Sequence, residues 1–138
     1  METSGLYIVK SAYKFLQSGG NWLHLQDDSN GQKLWQFAVP PKVHHFLWRA
    51  CSGCLPTKVQ LNTKHVNVDL LCLFCNMEYE TIYHVLLGCS FSRSYWFLSA
   101  ATQPAAGSYQ DFVSWFFELL DGSHVDIVVD VAMISWNI

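Results

Sequence analysis

Cys72, Cys75, His84 and Cys89 are the residues of this chain whose types and spacing carry the most specific chemistry. They form the pattern Cys-x2-Cys-x8-His-x4-Cys, with four donor side chains inside eighteen positions. Two thiolates separated by two residues can grip one side of a tetrahedral ion through a tight turn. A histidine and a cysteine about one helical turn apart can close the other side. Three sulfur donors and one imidazole make a donor set suited to zinc. Four protein donors also leave no vacancy for water or substrate, so the spacing predicts a structural ion. Three thiolates and a divalent ion sum to −1, and such a site does not attract phosphate.

Two other readings of the same residues stand beside this one. Free cysteine is among the most buried residue types, so three cysteines and a histidine can simply fill a core. Cys51 and Cys54 form a second two-residue-spaced pair, with seventeen residues between Cys54 and Cys72, and an all-cysteine site from both pairs has ribbon-like spacing. The later set is preferred, because the first pair falls on the apolar face of an expected helix. Using that pair would also leave His84 and Cys89 without a role.

The elements that position these residues read as helices. Val9, Ala12, Tyr13 and Leu16 make one apolar face ending at Gly19-Gly20, and residues 21–33 read as a polar loop. Pro40-Pro41 opens a helix with Val43, Phe46, Leu47, Ala50 and Cys54 on one stripe, with Cys51 beside it, and Pro56 ends it. Thr57 is placed to cap a short helix, and Thr81 to cap one carrying His84, which Gly88 terminates. Ser90 then starts a helix expected to turn Phe91, Tyr95 and Leu98 inward. The last two helices carry Phe112, Val113, Phe116 and Leu119, then Val125, Val128, Val129, Ala132, Met133 and Trp136. The expected fold is mostly α, a small zinc-stabilised helical domain with at most a short strand near Leu6 to Val9. The expected boundaries are a zinc-binding unit over 5–99, a linker over 100–108 and apolar helices over 109–138 that end as if cut short.

The composition sets limits. A chain that is 51% hydrophobic and 14% charged has a substantial core and is not disordered. Its five cysteines, with no secretory signal in view, read as thiols or metal ligands of an intracellular protein. No segment has the length and apolarity of a membrane span.

The pieces GLYIVKSAY, LWQFAVPPKVHHFLWRA, LPTKVQL, Cys72-x2-Cys75, Glu80-x3-His84-x4-Cys89 and Trp96 together resemble the reverse transcriptase zinc-binding domain, over about residues 5–98. That family is abundant in plant LINE-type retrotransposon proteins, between reverse transcriptase and ribonuclease H domains. The closing AMISWNI resembles the segment that often follows. The resemblance implies Cys72, Cys75, His84 and Cys89 as zinc ligands, agreeing with the spacing, and a module detached from its polymerase and nuclease.

No Gly-rich phosphate loop or nucleophile elbow is present, and an enzyme is the least supported class. Two binding functions remain, and neither takes a small-molecule substrate. Lys33, Lys42, Arg49, Lys58 and Lys64 lie with Trp35, Trp48, His44 and His45 in a stretch without acids, as single-strand nucleic-acid binding would use. Alternatively, Val113, Phe116, Val129, Met133 and Trp136 offer an apolar face to a protein partner or a second copy, with acids around them that disfavour nucleic acid. The net charge of −3 and the apolar excess favour the protein partner.

Overall fold

The computed structural model describes residues 28–99 and 109–138, and the expected first helix, the strand near Leu6 and the linker lie outside these residues. The described residues are mostly α-helical, as the periodicity predicts: α1 (Asp28–Leu34), α2 (Pro41–Cys51), α3 (Lys58–Thr63), a π turn (His84–Gly88), α4 (Ser90–Leu98), α5 (Phe112–Gly122) and α6 (Val125–Asn137). Among them, the isolated antiparallel bridge Leu71–Tyr79 is the nearest thing to a sheet. No helix among them is long and apolar enough to cross a membrane.

The local signals explain where these elements start. Pro41 sits in the first turn of α2, where its missing N–H costs nothing. Thr57 caps α3 by accepting from the Gln60 amide, 3.4 Å away. Asp111 caps α5 through the Ser114 amide at 2.7 Å, a cap that the sequence reading overlooked. The polar stretch read as a loop contains α1, because Leu34 at its end is fully buried and anchors the turn to α2.

One core joins α2 to the last two helices. Val43, Leu47, Ala50 and Cys51 of α2 pack with Phe112, Val113, Trp115, Phe116 and Phe117 of α5, and with Val128, Val131 and Ala132 of α6. Burial pushes the Cys51 thiol far above its ordinary range, with Asp111 adding to the effect, so this cysteine packs as a small hydrophobe.

Four expectations are corrected here. Val113 and Phe116, expected on a partner surface, are 7% and 0% exposed, because α5 turns a face of five large side chains into the core. The last two helices are therefore core elements and not an unfilled apolar appendage. In α6 the buried stripe is Val128, Val131, Ala132 and Ser135, rotated from the expected one, and Val125 is exposed. In α4 the inward residues are Ser92 and Trp96, while Leu98 and Tyr95 face outward, since Trp96 finds both a hydrogen-bond acceptor and a ring to pack on. Cys54 lies past the end of α2 and is exposed, not part of its buried stripe.

Trp96 couples the two halves. Its indole N–H donates to the Leu86 carbonyl at 2.7 Å, and its ring meets Trp115 edge to face at 5.7 Å. The segment carrying His84 and Cys89 is thus fastened to α5.

Candidate metal centre

The knuckle that carries Cys72 and Cys75 is a tight hairpin. The Cys72 amide donates to the Glu78 carbonyl at 2.7 Å, and the Asn76 amide donates to the Cys72 carbonyl at 2.9 Å. Asn76 takes a positive φ of 53°, a left-handed conformation that asparagine tolerates better than most side chains. The Leu71–Tyr79 bridge closes the hairpin behind it. The Met77 amide points at Cys75 Sγ from 3.5 Å. That amide, with help from the Glu78 amide and His84, lowers the half-buried Cys75 thiol to about 6.

The other two donors come from the segment that Thr81 starts. Thr81 Oγ1 accepts from the His84 amide at 3.0 Å, as a cap should. Cys89 follows His84 by five positions, one more than an α turn spans. The chain absorbs the excess in a π turn over His84–Gly88, where the Cys89 amide donates to the His84 carbonyl at 2.6 Å. The widened turn brings Cys89 to the same side as His84. On its far side the Cys89 carbonyl accepts from the Arg93 amide (2.9 Å) and the Ser92 hydroxyl (2.9 Å), so α4 begins at the ligand itself.

The four donor atoms converge. Cys72 Sγ, Cys75 Sγ, a His84 ring nitrogen and Cys89 Sγ all lie within 4.8 Å of one another. Cys72 Sγ and Cys89 Sγ are 3.9 Å apart, and Cys75 Sγ and His84 Nε2 are 3.3 Å apart. A disulfide would need about 2.05 Å. Donors at the edges of a tetrahedral zinc shell stand about 3.5–3.8 Å apart, from bond lengths of about 2.3 Å to sulfur and 2.0–2.1 Å to nitrogen. The two donor pairs at 3.9 and 3.3 Å bracket that range, and the donor identities suit zinc. Cys72, His84 and Cys89 are buried, and burial raises the Cys89 thiol above its usual range. Without a cation, that cluster would place thiols in an apolar site with little to satisfy them.

His84 shows a second sign of fit. Its Nε2 faces Cys75, while Nδ1 is buried without a hydrogen bond. Glu78 Oε2 stands 3.3 Å from Nδ1, outside good hydrogen-bond geometry. A ring that ligates through Nε2 carries its proton on Nδ1, and a neighbouring carboxylate is the usual acceptor for it. Glu78 therefore belongs with the site, and its place one turn beyond the cysteine pair gave no sequence signal.

The chain matches the family model described as zinc-binding in reverse transcriptase, over residues 7–96. It belongs to that family. No curated protein and no solved structure matches the chain. The reverse-transcriptase zinc-binding family is a zinc-binding domain and not the catalytic polymerase domain. With the converged cluster, membership assigns a structural zinc held by Cys72, Cys75, His84 and Cys89. Cys51 and Cys54 are outside the cluster, which removes the all-cysteine alternative.

The remaining sequence candidates are dispersed. Lys33 pairs with Asp121 at 2.6 Å, Lys58 donates to the Leu71 carbonyl at 2.8 Å, and Lys42 lies 4.6 Å from the centre of the Trp136 ring. Arg49 and Lys64 are exposed. Val129, Met133 and Trp136 are partly buried against the core. The apolar surface that the sequence reading missed is on the knuckle, where Leu73, Met77 and Tyr79 are 68%, 80% and 60% exposed.

Proposed function

We propose that this chain is a non-enzymatic, zinc-stabilised binding module of a retrotransposon-type reverse transcriptase lineage, and that its knuckle is the surface that meets a protein partner. The observation that carries this reading is the exposure of Leu73, Phe74, Met77 and Tyr79 around the metal-binding cysteines. Phe74 stacks on Phe91 with centroids 4.4 Å apart and planes 3° from parallel, which ties one edge of the patch to α4. A groove of about 310 Å³ continues it, lined by Phe46, Leu55, Ile82, Val85 and Leu86 among others. Contiguous apolar surface beside a rigid centre marks contact sites in soluble proteins. The four-donor site supports a scaffold role for the metal, since every coordination position is filled by protein.

A second reading, weak single-stranded nucleic-acid binding, draws on Trp35, 47% exposed beside His45 at 5.7 Å, with Lys42 and Arg49 exposed on the same helix as His45. It is the lesser one because Lys33, Lys58 and Lys42 already have partners within the domain.

One comparison separates the two. Sedimentation of the zinc-loaded chain is expected to show concentration-dependent association through the apolar knuckle. The double variant L73D/M77D is expected to abolish it with zinc content and melting temperature unchanged, because exposed positions cost within about 0.5 kcal/mol. A strictly monomeric wild type that binds oligouridylate with a steep salt dependence reverses the order of the two readings.

A further inference from the structure

We infer that Glu80 is a positioning residue for the metal centre, a single carboxylate that holds the Cys72–Cys75 knuckle against the first turn of α3. Its Oε2 accepts from the Leu73 amide at 3.2 Å, the first amide after Cys72 and inside the metal-binding turn. Its Oε1 accepts from the Lys58 amide at 3.2 Å, in the first residue of α3. The main chain of Glu80 is committed in the same way. Its carbonyl accepts from the Val59 amide at 3.4 Å, and its amide donates to the Leu70 carbonyl at 2.8 Å.

The first turn of a helix has amides with no partner inside the helix. In α3 the side chain and the carbonyl of Glu80 take two of them, and Thr57 takes a third. This matters more in α3 than elsewhere, since none of its side chains is buried. Polar contacts, not core packing, therefore decide where α3 sits. Lys58 completes the strap by donating from Nζ to the Leu71 carbonyl, one residue before the first ligand. Glu80 touches no metal-ligating atom; its reach is through the backbone that sets the direction of Cys72 and Cys75.

Both oxygens face N–H donors, so the position requires a carboxylate. Glutamine keeps one acceptor and turns its amino group toward a second donor, which loses one bond and adds a repulsive contact. The role holds whether or not the knuckle surface meets a partner, and metal affinity reads it directly. Outer-shell partners of a metal site typically change its affinity by about 10–100-fold.

The test compares wild type, E80Q, E80A and D121N by zinc competition with a chromophoric chelator. The cobalt form gives the absorption signature of the thiolate-rich donor set. E80Q and E80A are expected to lose about tenfold or more in affinity. D121N, which breaks the remote pair with Lys33, is expected to stay at the wild-type value. In the zinc-loaded wild type the Leu73 and Lys58 amide protons should exchange slowly, and in E80Q both should become fast. Wild-type affinity in both Glu80 variants overturns the proposal, as does an equal loss in D121N. Fast exchange of those two amides in the zinc-loaded wild type also overturns it, and this measurement needs no variant to fold.

Discussion

A chain ending at Ser99 is expected to lose cooperative folding, not to survive as a smaller zinc-binding domain. Residues 112–132 supply Phe112, Trp115, Phe116, Phe117, Val128 and Val131 to the core that buries Val43 and Leu47 of α2. Removing them would also strip Trp115 from Trp96 and loosen the segment that holds His84 and Cys89. The point variant Phe116→Ala asks the same question with less disruption. Phe116 is fully buried, with ring contacts to Phe37, Phe112 and Phe117. Its truncation should cost about 3–5 kcal/mol. Domains of this kind are stable by about 5–15 kcal/mol, so the variant should melt many degrees lower or fail to fold. Thermal melts followed by circular dichroism check both. A chain 1–99 that melts sharply and retains zinc would show that α5 and α6 are dispensable.

The second large effect concerns the metal. Replacing Cys75 with Ser is expected to abolish stoichiometric zinc binding and to release the segment 66–98, while the packing of α2, α5 and α6 is disturbed less. The four donors are the main constraint on a knuckle that leaves Leu73, Phe74, Met77 and Tyr79 exposed. Structural zinc contributes about 10–16 kcal/mol of apparent binding free energy, which becomes folding free energy where no site exists beforehand. Hydrogen exchange should show fast amides in the hairpin and the π turn, and a chelator should give the same pattern in the wild type. Cys54→Ser is the matched control. Cys54 is exposed and outside the cluster, so zinc content and melting should change by no more than about 0.5 kcal/mol. If Cys75→Ser leaves both the zinc stoichiometry and the melt unchanged, the three cysteines are packed core residues and the metal assignment is wrong.

The sequence by itself determined the ligand set and the helical class. Ligand identity was legible because metal chemistry restricts both residue type and spacing, and Cys72, Cys75, His84 and Cys89 satisfied both at once. The caps at Thr57 and Thr81 and the helix opened by Pro41 were legible because each is a local bargain between a side chain and a neighbouring amide. Which face each helix buries was not, and for the same physical reason each time. A helix with apolar side chains on more than one face has no unique inward stripe until a partner chooses one. Trp96 turned α4 by finding the Leu86 carbonyl and the Trp115 ring. Phe116 and Val113 went inside because α2 lay open to them. The tertiary structure also decided the π turn that fits four residues between His84 and Cys89, and it brought Glu78 to His84 and Glu80 across to Lys58. Those contacts join residues from separate turns of the chain, and no spacing in the sequence encodes the distance between them.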